Sequence, residues 1–195
     1  DVFSQKGYDG AGMKGIAMHC GVSQGLLHYH FGKKAWLYEA VIARRSHRIN
    51  AARLQLLDRV DPAAPDAVNR IFEALYRPPL GPEGRGQAYA RIFAGLAAGG
   101  TRDSDLVRRY YDDTARRFVI ALQAAQPGAS RMKAARAYTM ALGALVVALS
   151  GDVRTARLAG EDGSSSTEAL VADLVTYACG GFRGLVLQGN TTEGG

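Results

Sequence analysis

The chain has little of what would cross-link it, anchor it in a bilayer or equip it for metal chemistry. Cys20 and Cys179 are its only thiols. They lie far apart, in no CxxC pair and at no His/Cys spacing suited to zinc, so a zinc module is excluded and a reducing cytoplasm is the expected location. Long apolar runs are missing too. The most apolar, residues 141–149, falls well short of the ~20 residues a bilayer requires, and Arg136 and Asp152 bracket it, so no membrane span is expected. The opening Asp1-Val2-Phe3-Ser4-Gln5-Lys6 lacks the apolar core of a signal peptide. It reads as the last turns of a helix already under way, so the sequence is expected to begin after the true N-terminus. No Glu-x-x-His pair, phosphate-cradling glycine loop or Cys/His nucleophile arrangement appears, so neither an enzyme nor a cofactor or metal is expected.

What remains is ample for a folded core: 195 residues, of which 47% are hydrophobic. The formal charge is +6, and most of it sits at the front. The first fifty residues hold Lys6, Lys14, Lys33, Lys34, Arg44, Arg45 and Arg48 against Asp1, Asp9 and Glu39, together with all four histidines. A positive field concentrated in one segment points to a nucleic-acid partner, although a solvated basic face would have the same composition.

Strand signals are scarce and apolar residues recur at helical spacing, so an all-α fold is expected. Gly7 and the run from Gly10 to Gly12 separate a first helix from a second, Gly21 makes a tight turn, and Gly32 stops a third helix. A long helix should cover residues 34–57, followed by a break at Asp61-Pro62, with Asp61 as cap of the next helix. Further helices are expected over 67–76, stopped by Pro78-Pro79, over 84–98, and over 104–125 with Ser104 as cap. Two long ones, 130–149 and 167–187, should follow, joined by a polar loop. The division expected is a DNA-binding domain at 1–47 and a larger helical domain at 48–195.

The segment from Met13 to Phe31 carries the functional signal. Ile16 and Ala17 face inward from a short helix, Gly21 permits a left-handed turn, Val22 plugs the space between helices, and Ser23 stands where an N-cap is required. The helix that follows opens its amide end near Gln24 and Gly25, and such an end can meet phosphate or a base edge in a major groove. Phe3, Gly7-Tyr8, Met13, Ile16-Ala17, Gly21-Val22-Ser23, Gly25, Leu27, Tyr29-His30-Phe31, Lys34 and Leu37 together resemble the DNA-binding domain of the tetracycline-repressor (TetR) family. That resemblance implies a second helix reading the major groove, with base contacts from Gln24 and Gly25. It also implies backbone contacts from Tyr29, His30 and Lys34; Lys14, Ser23, His28 and Lys33 complete the candidate DNA-binding set. The chain departs from the family pattern at Ala11-Gly12, where a capping Thr or Ser is usual, at Gly15, where an acidic residue is common, and at His28, which replaces a Tyr. A cap lost at Gly12 weakens that helix by ~1 kcal/mol.

Beyond the head, Phe72, Tyr76, Tyr89, Phe93, Tyr110, Tyr111, Phe118 and Tyr138 are candidates for a pocket that suits a small, largely hydrophobic effector. In the last two long helices Leu142, Leu145, Val146 and Leu149 face a stripe of Leu170, Leu174, Ala178, Phe182 and Val186, the candidate homodimer interface; an intramolecular core would show the same stripes. The partners expected are a palindromic double-stranded operator, the effector and a second copy. The function expected is a ligand-responsive repressor. A helical ligand-binding or scaffold dimer with an impaired reading head is the other reading.

Overall fold

The computed structural model describes residues 1–81, 87–98, 101–149, 154–160 and 166–187. Among these there are eleven helices and no strand: α1 (Val2–Gly10), α2 (Met13–Cys20), α3 (Gln24–Phe31), α4 (Lys34–Leu57), α5 (Ala67–Leu80), α6 (Gln87–Ala98), α7 (Thr101–Tyr110), α8 (Asp112–Ala125), α9 (Arg131–Leu149), α10 (Arg154–Ala159) and α11 (Thr167–Leu187). The first three make a small head. α4 leaves that head and runs on into a bundle in which α5, α8, α9 and α11 share the core. The expected boundary at residues 47 and 48 therefore falls inside one continuous helix.

Local chemistry explains the head. Gly7 takes φ +66° and kinks α1. Gly21 takes φ +67°, a left-handed conformation that an L side chain adopts only with strain. From there the Gly21 and Val22 amides reach back to the Met18 and Ala17 carbonyls and close α2. Ser23 Oγ accepts from the Leu26 amide at 3.1 Å, the cap expected of it. Gly12 offers α2 no side-chain cap, also as expected. Phe3, Ile16, Ala17, Leu27, Leu37 and Tyr38 are buried together, while Val22 is 37% exposed and so does not plug the head core. The reason is the turn itself, which turns Val22 outward once its amide is committed to Ala17.

Several helix limits differ from expectation. α5 does not stop before Pro78 but continues through both prolines to Leu80. Pro79 has no amide to give the Leu75 carbonyl four residues back, and Arg53 Nε of α4 donates to that carbonyl at 3.0 Å instead. The 104–125 segment is two helices rather than one: Asn50 Nδ2 donates to the Tyr110 carbonyl at 2.8 Å, and α7 gives way to α8 at Tyr111. Ser104 is consequently an exposed interior residue of α7 and caps nothing. Asp61 Oδ1 accepts from the Ala63 amide in a local turn and does not cap α5, whose N-cap is Asp66. α10 lies where only loop was expected, and residues 84–86 of the expected sixth helix lie outside the described residues. By length and composition α9 and α11 could each cross a membrane. Each instead buries a face in the bundle core, with Ala141, Leu145 and Leu149 covered on α9 and Val171, Leu174 and Phe182 on α11.

Candidate nucleic-acid interface and ligand cavity

α3 turns most of its surface outward. Ser23, Gln24, Gly25, His28, Tyr29 and His30 are all exposed, as are Lys14 on α2 and Lys33 at the N-cap of α4, whereas Leu27 points into the head core. Tyr29 is 83% exposed, and its ring makes an edge contact with the His30 ring at 5.2 Å. An aromatic hydroxyl so displayed is placed to donate to phosphate.

Two candidates are occupied inside the chain. His28 Nδ1 lies 2.8 Å from the Gly32 carbonyl, which can only accept, so this nitrogen carries the proton; Nε2 then accepts from Gln24 Nε2 at 3.3 Å. His28 thus ties the Gln24 side chain to the far end of α3 and is not a free group. Lys34 Nζ donates to the Tyr8 carbonyl at 2.9 Å and sits 4.4 Å over the Tyr8 ring. It satisfies the end of α1 and is half-buried, which leaves Lys33 as the outward cation of the pair. Nothing in residue spacing separates the two lysines, because the competing acceptor lies 26 residues away.

Gly32 ends α3 at φ +61°, and a Cβ placed there would come 2.7 Å from Trp36 Cζ3. Trp36 is the single tryptophan and stands exposed beside α3. Gly32→Ala is expected to displace the indole, shift its emission and weaken the head by about 1–2 kcal/mol through the positive φ alone. Fluorescence-detected denaturation measures both effects; an unchanged spectrum and midpoint would show that the contact is slack.

Behind the head, Tyr8 is sandwiched between Lys34 and Arg102, whose guanidinium lies 3.7 Å from the ring centroid. Arg102 in turn grips the buried carboxylate of Asp103 with two hydrogen bonds, at 3.0 and 2.9 Å. A second tie is Glu39 of α4, which accepts from Arg109 and, at 2.8 Å, from the Tyr110 hydroxyl. Burial and the neighbouring Glu39 raise the Tyr110 hydroxyl above its ordinary pKa and keep it a donor.

A cavity of about 720 Å³, partly open to the surface, lies among α6, α7, α8 and α9. Phe93, Tyr111 and Tyr138 line it, as expected of them, and Leu142 and Val146, expected at a dimer face, line it as well. Phe72, Tyr76 and Phe118 do not. All three are sealed in the core, where Phe72 packs against Tyr76 and Phe182. Burial raises the Tyr76 hydroxyl pKa and pushes the Cys179 thiol up to about 11. Tyr110 is turned toward Glu39, and the Tyr89 side chain lies outside the described residues. Leu145, Leu149, Leu174, Ala178, Phe182 and Val186 are buried within the chain and Leu170 is half-buried. The stripe read as an interface is thus the intramolecular core, because the inward face of a bundle helix and a contact face have the same apolar period.

Comparison with known proteins follows the same division. Residues 1–41 match the family model of bacterial regulatory proteins of the tetR family, and residues 70–181 match that of the tetracyclin repressor-like C-terminal domain. Among solved structures, the TetR-family transcriptional regulator PfmR from Thermus thermophilus is 19% identical with TM-score 0.63, covering 93% of each chain. A transcriptional regulator from Rhodococcus sp. Rha1 is 22% identical with TM-score 0.62, covering 97% of this chain and 91% of its own. One from Mesorhizobium loti, described as of the TetR family, is 17% identical with TM-score 0.53, covering 95% and 90%. No curated protein matches the chain. At these identities the structures establish the fold, and the C-terminal match, spanning more than half of the sequence behind an N-terminal match over the head, establishes the family: the chain belongs to the TetR family of bacterial transcriptional regulators.

Proposed function

We propose that the protein is a cytoplasmic, homodimeric repressor that leaves a palindromic operator when a small, largely hydrophobic effector fills the bundle cavity. The observation that carries the DNA half is the outward face of α3, where Gln24 and Gly25 open a helix N-terminus flanked by Tyr29, His30, Lys14 and Lys33. Gln24 and Gly25 would meet base edges, and the flanking side chains the phosphates.

The effector half is supported by adjacency. Tyr111 lines the cavity, and its neighbour Tyr110 is gripped by α4 through both Glu39 and Asn50. A ligand that shifts Tyr111 therefore pulls on the helix that carries the head. For release to follow, the effector must bind more tightly to the state in which the two reading helices no longer fit successive major grooves.

A gel shift with DNA from upstream of the gene, at 50 and 200 mM salt, tests the reading. A discrete complex is expected that weakens about 100-fold across that range, if Lys14 and Lys33 of two protomers neutralise about four phosphates. Absence of any complex at low salt would overturn the repressor and favour a ligand-binding dimer.

A further inference from the structure

Of the exposed residues of α3, which are Gln24, Gly25, Leu26, His28, Tyr29 and His30, Leu26 alone carries a side chain without a polar atom. Successive residues of a helix are about 100° apart, and the buried Leu27 and half-buried Phe31 fix the inward direction of α3. Gly25 and Tyr29 lie opposite them. Leu26 then stands about 60° from that outward pole, closer than Gln24 at about 140°. Its side chain is 45% exposed. Its backbone is fixed, because the Leu26 amide is the one that Ser23 Oγ caps at 3.1 Å. Beside it Gly25 leaves the approach open: a Cβ there would meet only Ser23 Oγ, at 3.9 Å, so no described neighbour requires glycine at that position.

We propose that Leu26 is a specificity-determining residue, which reads a thymine in each half-site through its C5 methyl. This deepens the proposed function and rests on α3 being the helix that enters the major groove. The base edges in that groove are hydrogen-bond donors and acceptors, and thymine alone adds a methyl group. A leucine set against a donor or acceptor strips it of water and returns no hydrogen bond. Set against the methyl, it buries apolar surface on both partners. Leu26 therefore favours thymine at the pair it covers and disfavours the other three bases there, whereas Gln24 can hydrogen-bond a base at a different pair.

Selection of the full chain on a randomised duplex library at low salt, followed by replacement of each selected thymine with deoxyuridine, tests the assignment. Deoxyuridine keeps every hydrogen-bonding group of thymine and lacks only the methyl. One replacement is expected to weaken binding about fourfold, the scale of one buried methyl group, and replacement in both half-sites about 15-fold. Leu26→Ala should bind the thymine and deoxyuridine duplexes equally and lose the thymine preference at that pair. Gln24→Ala should relax a different pair and leave the thymine advantage intact. The comparison of the two duplexes by the unsubstituted chain needs no variant to fold. Selected sites indifferent to deoxyuridine, or a thymine advantage that Leu26→Ala retains, would overturn the role of Leu26, while a pair relaxed by Gln24→Ala would keep α3 as the reading helix. A library from which no sequence is selected would overturn both.

Discussion

Arg53→Ala is expected to lower stability by about 3 kcal/mol, a fall of about 6–12 °C in Tm for a chain of this size, and Pro79→Ala is expected to restore part of the loss. Arg53 is 1% exposed, and Nε donates to the Leu75 carbonyl that the second of two consecutive helix prolines leaves without an amide. Truncating it removes a long buried side chain and orphans a buried carbonyl, a cost of about 1–3 kcal/mol for the carbonyl alone. Nη2 has no partner, so the loss is partly offset by relief of that buried group. Pro79→Ala returns an amide to Leu75. In the native background it adds little, because the carbonyl already has a donor. With Arg53→Ala it supplies the only one. The two substitutions should therefore couple by about 1 kcal/mol or more in a double-mutant cycle followed by calorimetry or urea unfolding. Additivity within about 0.5 kcal/mol would show that the arginine does not stand in for the missing amide.

The same pair marks where sequence reading stops. Gly21 and Ser23 were legible because the groups they answer lie within a few residues: a left-handed turn closing α2 and a cap on Leu26. The end of α5 was not, since the donor that allows a helix to pass through Pro78-Pro79 comes from Arg53, 22 residues away in sequence. The break at Tyr111 has a similar origin in Asn50, and the occupation of Lys34 in the Tyr8 carbonyl. Site residues followed the rule as well. The outward residues of α3 were readable from one short amphipathic helix, and Lys33 and Lys34 exchanged roles through a contact with α1. For the aromatic set the sequence indicated burial but not against what, so Phe93, Tyr111 and Tyr138 reached the cavity while Phe72, Tyr76 and Phe118 filled the core. α9 and α11 were the hardest, because periodicity marks an apolar face without saying whether a helix of the same chain or a second copy covers it.

That ambiguity leaves the second large prediction, which concerns the outward face. Gly180 and Gly181 are exposed on α11, and a Cβ at either would meet nothing within 4 Å. No described element of the same chain requires glycine there, yet each costs the helix about 0.5–1 kcal/mol relative to alanine. Tyr177, 72% exposed, and Leu187 flank them, and Met140 is exposed on α9. Under the dimer reading these glycines let a second copy approach closely, with apolar side chains around them. Gly180→Ala together with Gly181→Leu should therefore raise the thermal stability of the isolated protomer, by up to about 2 kcal/mol. The same double variant should shift the chain toward monomer in sedimentation and weaken operator binding by about 100-fold or more, since losing the linked second reading helix forfeits the gain from joint engagement of two half-sites. A variant that is more stable, still dimeric and still bound to DNA would place the interface on another face. A variant that is monomeric but binds DNA undiminished would remove dimerisation from the mechanism.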